Sequence, residues 1–257
     1  LKTKSKSESF IITFNNKMKL AVASDLHLDH YTVSQQKDIL NCFDNDDYTD
    51  TIILAGDLGN PFSDHYLDLL NKCKEQYKYV LFIAGNHEFY QDRTETDVEE
   101  KLESLSWETN TIFLQKHSWR HPSGTVISGC TLWTDISPTT FAYVRNKHSL
   151  LIYSDVVEIH QDHKQWIESV AAETDIMVTH HLPTVKMVDP KYGNSPYNDG
   201  YASPMEYLFK PPLKLWICGH THTASRKYTN GIPCLSNPLG YPEDKNVWSV
   251  STTTVDH

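Results

Sequence analysis

Five short apolar runs punctuate this chain, and each stops at a side chain able to bind a metal ion. Residues 20–23 lead into Ser24-Asp25-Leu26-His27, residues 52–55 into Gly56-Asp57, and residues 80–84 into Gly85-Asn86-His87-Glu88. Residues 176–179 end at His180-His181, and residues 215–218 at Gly219-His220-Thr221-His222. Near-continuous apolar stretches of this length suit strands covered on both faces. Helical spacing falls between several of them. Tyr66, Leu69, Leu70 and Cys73 share a face, as do Val98, Leu102 and Leu105, and a longer helix is predicted over 155–172. Strand and helix in alternation describe an α/β chain, and open α/β sheets bind ligands beyond the carboxyl ends of their strands.

The side chains at those five ends are chemically coherent. Aspartate, asparagine and imidazole are N and O donors suited to Mn, Fe, Zn, Ni or Co, with no soft thiolate among them. In Asp25-x-His27 and His220-x-His222, alternation along a strand would send both side chains to one side. Asp57 has two carboxylate oxygens with which to bridge two ions, and the glycines at 56, 85 and 219 permit tight turns beside them.

Composition narrows the classes further. With 39% hydrophobic and 22% charged residues the chain is globular rather than disordered. A formal net charge of −10 argues against a broad basic surface for long nucleic acids, though bound divalent ions can create a local positive site. No apolar run approaches the roughly 20 residues that span a bilayer. Cys42, Cys73, Cys130, Cys218 and Cys234 are odd in number and scattered, so a disulfide framework is not expected and a reducing, cytoplasmic setting fits. Residues 1–16 are predicted to be a flexible tail and lead-in with no signal-peptide pattern, and residues 17–257 one domain.

Taken together, Asp25-x-His27, Gly56-Asp57, Gly85-Asn86-His87-Glu88, His180 and Gly219-His220-Thr221-His222 resemble the calcineurin-like metallophosphoesterase superfamily in order and spacing. The resemblance implies a four-layer α/β/β/α sandwich with two mixed sheets. It implies two divalent or trivalent metal ions, one held by Asp25, His27 and His222, the other by Asn86, His180 and His220, with Asp57 between them. It also implies that a hydroxide between the ions attacks phosphorus while His87, not a ligand, assists. The arginines that mark the Ser/Thr protein phosphatase branch are missing around Asp57 and Asn86. The chain is more similar to compact, bacterial-type members that share Gly129-Cys130-Thr131-Leu132-Trp133-Thr134-Asp135, Thr179–Pro183 and Asn237-Pro238-Leu239-Gly240-Tyr241-Pro242-Glu243. Leu239 stands where those relatives usually carry arginine.

The function expected is hydrolysis of a small phosphorylated molecule, a phosphodiester or nucleotide. A phosphomonoesterase and a non-catalytic scaffold are the alternatives. Two long loops, 135–154 and 182–203, are placed to shape the substrate pocket, and the first is a candidate lid. Pocket candidates are His181, Trp133, Asp135, Tyr197, Asn198, Tyr201, Asn237 and Tyr241, whose rings could stack on a base or sugar. Asp29 and His30 are candidates for support of the first ligand pair. His160 and His163 have no motif context and are read as structural or surface residues.

Overall fold

Alternate residues of the apolar runs face opposite ways, and that alternation builds the layers. A computed structural model of the chain describes residues 17–45, 49–106, 110–193, 195–244 and 246–256; the predicted tail at 1–16 lies outside the described residues. One sheet holds β1 (Lys17–Ala23), β2 (Thr51–Ala55), β3 (Tyr79–Ile83) and β4 (Thr111–Phe113) in parallel, with β11 (Ser251–Asp256) antiparallel against β1. The second runs in the order β5 (His117–Arg120), β6 (Val126–Cys130), β7 (Ile176–Thr179), β8 (Leu215–Cys218), β10 (Ile232–Ser236), β9 (Ser225–Thr229). Its four inner strands are parallel and its two edge strands antiparallel, so both sheets are mixed.

Leu20, Val22, Ile53, Ala55, Leu81 and Ile83 of the first sheet meet Ile127, Ile176, Val178, Leu215 and Ile217 of the second in one buried layer. Their chain neighbours point outward. Ala21, Ile52, Leu54, Val80 and Phe82 pack beneath α1 (Val33–Asn41), α2 (Asp64–Gln76) and α3 (Glu95–Ser104), chiefly on Ile39, Tyr66, Leu69, Leu70, Val98 and Leu102. Met177, Trp216 and Cys218 face the other way, against Ile167 of α5 (Tyr153–Val170) and the loop residues Leu182, Met205 and Phe209. Burying a large apolar side chain is worth about 1.5–3 kcal/mol, so a face flipped by a one-residue slip would be costly. The architecture is therefore two mixed sheets flanked by helices, the four-layer sandwich the sequence implies.

Some details differ from the sequence expectation. The sequence reads 111–114 with 125–133 as β, yet residues 111–113 extend the first sheet while 126–130 enter the second. It also reads 247–254 as β, but residues 247–250 form no strand and only Ser251–Asp256 pairs with β1. Two short helices lacked an apolar repeat long enough to announce them. α1 starts on a capping box between Thr32 and Gln35, and α4 (Pro138–Val144) starts on Ser137 with proline in its first turn, inside the loop 135–154. The loop 182–203 holds only short 3-10 turns. Among the described residues no helix is long and apolar enough to cross a membrane.

Candidate metal centre

The carboxyl ends of β1, β2 and β3 in one sheet and of β7 and β8 in the other converge on one edge of the sandwich. Ligand atoms of Asp25, His27 and His222 lie within 4.8 Å of one another, and so do those of Asp57, His180 and His220. Asp57 joins the groups. Its Oδ2 lies 3.2 Å from His180 Nε2, 3.7 Å from His27 Nε2 and 4.0 Å from His87 Nε2. Its Oδ1 accepts the His87 backbone N–H (2.9 Å), so a single oxygen faces both groups, where the sequence suggested two. On the other side His27 Nε2 and His222 Nε2 stand 2.9 Å apart, and His222 Nε2 is 3.7 Å from Asp25 Oδ1.

Backbone conformation aims these side chains. Asp25, His27, Asp57, His220 and His222 all have φ between 43° and 65°, the left-handed region that L residues avoid. The alternation expected along a strand does not place them, because they follow the strand ends. Crowding is severe where two such turns touch. A Cβ on Gly85 would sit 2.1 Å from Asp57 Oδ1, and one on Gly56, at φ +83°, 2.6 Å from Gly85 N. Glu88 holds both turns from behind. Its buried carboxylate accepts the backbone N–H groups of Asp57 (3.1 Å), Leu58 (2.7 Å) and Gly85 (2.8 Å).

Two of the imidazoles, His180 and His222, are oriented by their second nitrogens. His180 Nδ1 donates to Ala55 O (2.9 Å), turning Nε2 toward Asp57. His222 Nδ1 meets the Asp244 carboxylate (3.0 Å), which also accepts the Tyr241 N–H (2.8 Å). Such outer partners fix tautomer and ring direction. Asp244 gave no signal in the sequence. Asp29 and His30 lie 3.8 Å from each other, and the His30 ring packs edge-on against His27 at 5.9 Å between centroids. Burial holds His27 and His220 well below the ordinary imidazole range, in the neutral form that binds metals. Burial would raise Asp57, but the neighbouring His180 and His87 prevail and hold it well below the usual carboxylate range. Burial would likewise lower His180, yet the Asp57 carboxylate brings it up to about 9.

Two buried acceptor oxygens here have no hydrogen-bond partner, Asp25 Oδ2 and Asn86 Oδ1. Asn86 shows why. Its amide donates to the Tyr90 hydroxyl (3.0 Å), leaving the carbonyl oxygen buried and unspent. Unsatisfied buried acceptors cost about 1–3 kcal/mol each, and this N/O set fits divalent ions.

A cavity of about 780 Å³ opens over the centre and is lined by Asp57, Asn86, His87, His220 and His222. His181, Trp133, Tyr201 and Tyr241 line it too. His181 Nδ1 faces Thr131 O (3.3 Å), and its ring packs between Trp133 (5.5 Å, 25°) and His220 (4.3 Å, 38°). Tyr241 lies on His27 (4.3 Å between centroids), with its hydroxyl 3.0 Å from His87 Nε2. The other four pocket candidates stand outside the wall. Asp135 faces solvent, Tyr197 stacks on Tyr143, Asn198 bonds the carbonyls of Tyr192 and Gly193, and Asn237 bonds those of Val22 and Ser249. Leu239 is buried in the core beneath the first sheet. Arg145 and Lys191 line the cavity without having been singled out from the sequence, because nothing in the spacing of a surface cation marks a loop that folds inward.

A fold of two mixed sheets with aspartates and histidines gathered at one edge defines a metal-dependent phosphoesterase, a hydrolase. Residues 18–224 match the calcineurin-like phosphoesterase family, and the chain belongs to it. An Acanthamoeba polyphaga mimivirus chain, the uncharacterized protein L509, is 27% identical over 261 residues, covering 88% of this chain and 92% of its own. Among solved structures, phosphopantetheinyl hydrolase from Mycobacterium tuberculosis superposes with a TM-score of 0.66 at 13% identity, covering 93% of this chain and 97% of that one. A dimetal phosphatase from Danio rerio gives 0.55 at 10% identity, covering 91% of each chain. At such identities these two share the fold.

Proposed function

We propose that the chain hydrolyses a small phosphodiester or nucleotide at a two-ion centre. Asp25, His27 and His222 would hold one ion, Asn86, His180 and His220 the other, and Asp57 Oδ2 would lie between them. The observation that carries this reading is the pair of buried, partnerless acceptors on two separate strand ends, Asp25 Oδ2 and Asn86 Oδ1. When bound, the ions would lower the pKa of a water toward neutrality and polarise the phosphoryl oxygens. Overall, an oxygen of water bonds to phosphorus, the ester P–O bond breaks, and a proton passes to the departing oxygen.

The chain's own residues supply position and a proton path. The His87 main-chain N–H anchors it to Asp57, while its Nε2 faces both the cavity and the Tyr241 hydroxyl. Burial holds His87 below the usual imidazole range, so a proton it carries is readily given up to a departing oxygen. The cavity's volume lies within the usual range for small-molecule sites, and Trp133, Tyr201 and Tyr241 offer ring faces to a base. Mn, Fe, Zn, Ni and Co remain the candidate ions, and five free cysteines support a reducing, cytoplasmic setting.

The test combines elemental analysis with turnover. Protein reconstituted with Mn or Ni is assayed on bis-p-nitrophenyl phosphate, p-nitrophenyl phosphate and cyclic nucleotides. About two ions per chain and faster diester cleavage are expected. Dominant monoester turnover would replace the diesterase reading by a phosphomonoesterase, and no metal with no activity would leave a binding scaffold.

A further inference from the structure

The cavity wall carries a cation whose guanidinium has no partner among the described residues. Arg145 follows α4, where its backbone N–H closes the last turn on Phe141 O (2.9 Å), and it lines the same cavity as His87 and His220. Three carboxylates line that cavity as well. Asp57 faces the histidines, Asp189 pairs with Lys191 (3.4 Å) and Asp244 pairs with His222 (3.0 Å). Among the described residues, the Arg145 guanidinium is in hydrogen-bond or ion-pair reach of none.

Its backbone, by contrast, is tied on both sides. Upstream, the Asp199 carboxylate of the second loop accepts from Ser137 N (2.9 Å) and Thr140 Oγ1 (2.5 Å), and Tyr143 stacks on Tyr197 at 4.1 Å and 1°. Downstream, the Asp92 N–H donates to His148 O (2.8 Å) and the Asp92 carboxylate meets His148 Nδ1 (2.8 Å). A fixed root with an unpaired head is the arrangement of a ligand-binding arginine, because a guanidinium presents a fork of donors that matches phosphate or carboxylate oxygens. The stacking contact makes Tyr197 a builder of the wall although it does not line it.

The scissile phosphate belongs to the Asp57 side of the cavity, and Arg145 reaches no carboxylate there. We propose that Arg145 is a specificity-determining residue that binds a second anionic group on the substrate, so that the substrate class is a nucleotide-sized phosphoester carrying a further phosphate away from the bond cleaved. This rests on the phosphoesterase reading above. Lys191, balanced by Asp189, contributes less charge to that subsite.

Two measurements on the metal-loaded protein separate the claims. In turnover, thymidine 5′-(p-nitrophenyl phosphate) is compared with the same ester bearing a 3′-phosphate. In calorimetry, thymidine 5′-phosphate is compared with thymidine 3′,5′-bisphosphate. Wild type should favour the member bearing the 3′-phosphate about 10- to 100-fold in kcat/KM and in Kd, the range of charge-assisted hydrogen bonds. Arg145→Gln should bring both ratios close to one, and Arg145→Lys should restore part of each. If Arg145→Gln lowers both members alike and the ratios persist, the guanidinium grips the scissile phosphate and the proposal fails. Turnover without a preference in wild type also overturns it and leaves the phosphoesterase reading intact. A binding preference lost in Arg145→Gln, with no turnover of either ester, supports Arg145 and removes the hydrolytic reading for such esters. Unchanged metal content and circular dichroism identify a folded variant.

Discussion

Five metal-centre residues with left-handed φ are an expensive way to build a turn. Each such residue costs roughly 1–2 kcal/mol, and the strain persists only where surrounding contacts over-determine it. Glu88 supplies much of that restraint. Glu88→Ala leaves three buried N–H groups without acceptors, and urea denaturation should show a loss of about 3 kcal/mol or more. Glu88→Gln, which keeps an acceptor oxygen, should lose less; equal losses would mean that the carboxylate's packing rather than its bonding is what counts. At the same scale, His87→Ala should retain its metal and lose about 10²- to 10⁴-fold in kcat. Tyr241→Phe, missing only the hydroxyl beside His87 Nε2, should lose about 10-fold and shift the pH–rate profile. Loss of metal together with activity in His87→Ala would exchange its role for that of a ligand. The candidate ligands were legible because each followed an apolar run, and Glu88 because it closes the Gly85-Asn86-His87-Glu88 block. Asp244 and Arg145 were not, since contact rather than spacing brings them to the cavity.

Helix α5 has a task that its apolar periodicity conceals. His160 Nδ1 faces Leu132 O (3.0 Å), and His163 Nδ1 accepts the Leu132 N–H (3.1 Å). These two bonds clamp Leu132 and Trp133 at φ 72° and 51° and set Trp133 against His181. The period of the helix predicted a buried face; a bonded pair of histidines on it was beyond reach, because the turn they grip has no pattern of its own. Burial, with Lys116 nearby, pushes His163 down to about 3, so it is neutral in the fold and acts as an acceptor. Its folded pKa lies below the ordinary value, so the unfolded chain takes up this proton first as pH falls. The stabilisation is therefore full above about pH 6.5 and declines by about 1.4 kcal/mol per unit below it, down to about pH 3. Between pH 7 and 5, wild type should lose about 2 kcal/mol more than His163→Asn, whose amide oxygen accepts without titrating. Parallel losses would show that this ring is protonated in the fold.

Across the whole molecule, the centre joins the two sheets at the edge where their strands end. Ions bound there stabilise the folded chain alone, and at one hundred times Kd that linkage amounts to about 2.7 kcal/mol. A chelator should therefore lower Tm, and graded return of Mn or Ni should restore it with the dependence on concentration that linkage requires; a Tm indifferent to chelation would place the ions elsewhere. The inner strands were readable from near-continuous apolar runs, and the four layers from the family resemblance. The division of β4 and β6 between sheets was not, since three to five apolar residues carry no information about which neighbour they will pair with.

His27 and His222 face each other across 195 positions of chain. Contacts so far apart in sequence form late, after the loop between them has been closed. A ribosome-bound chain halted before β8 has emerged carries the first sheet's candidate ligands and His180, but neither His220 nor His222. Metal uptake would then mark the end of folding rather than its beginning, and a bound ion would certify that both sheets have docked.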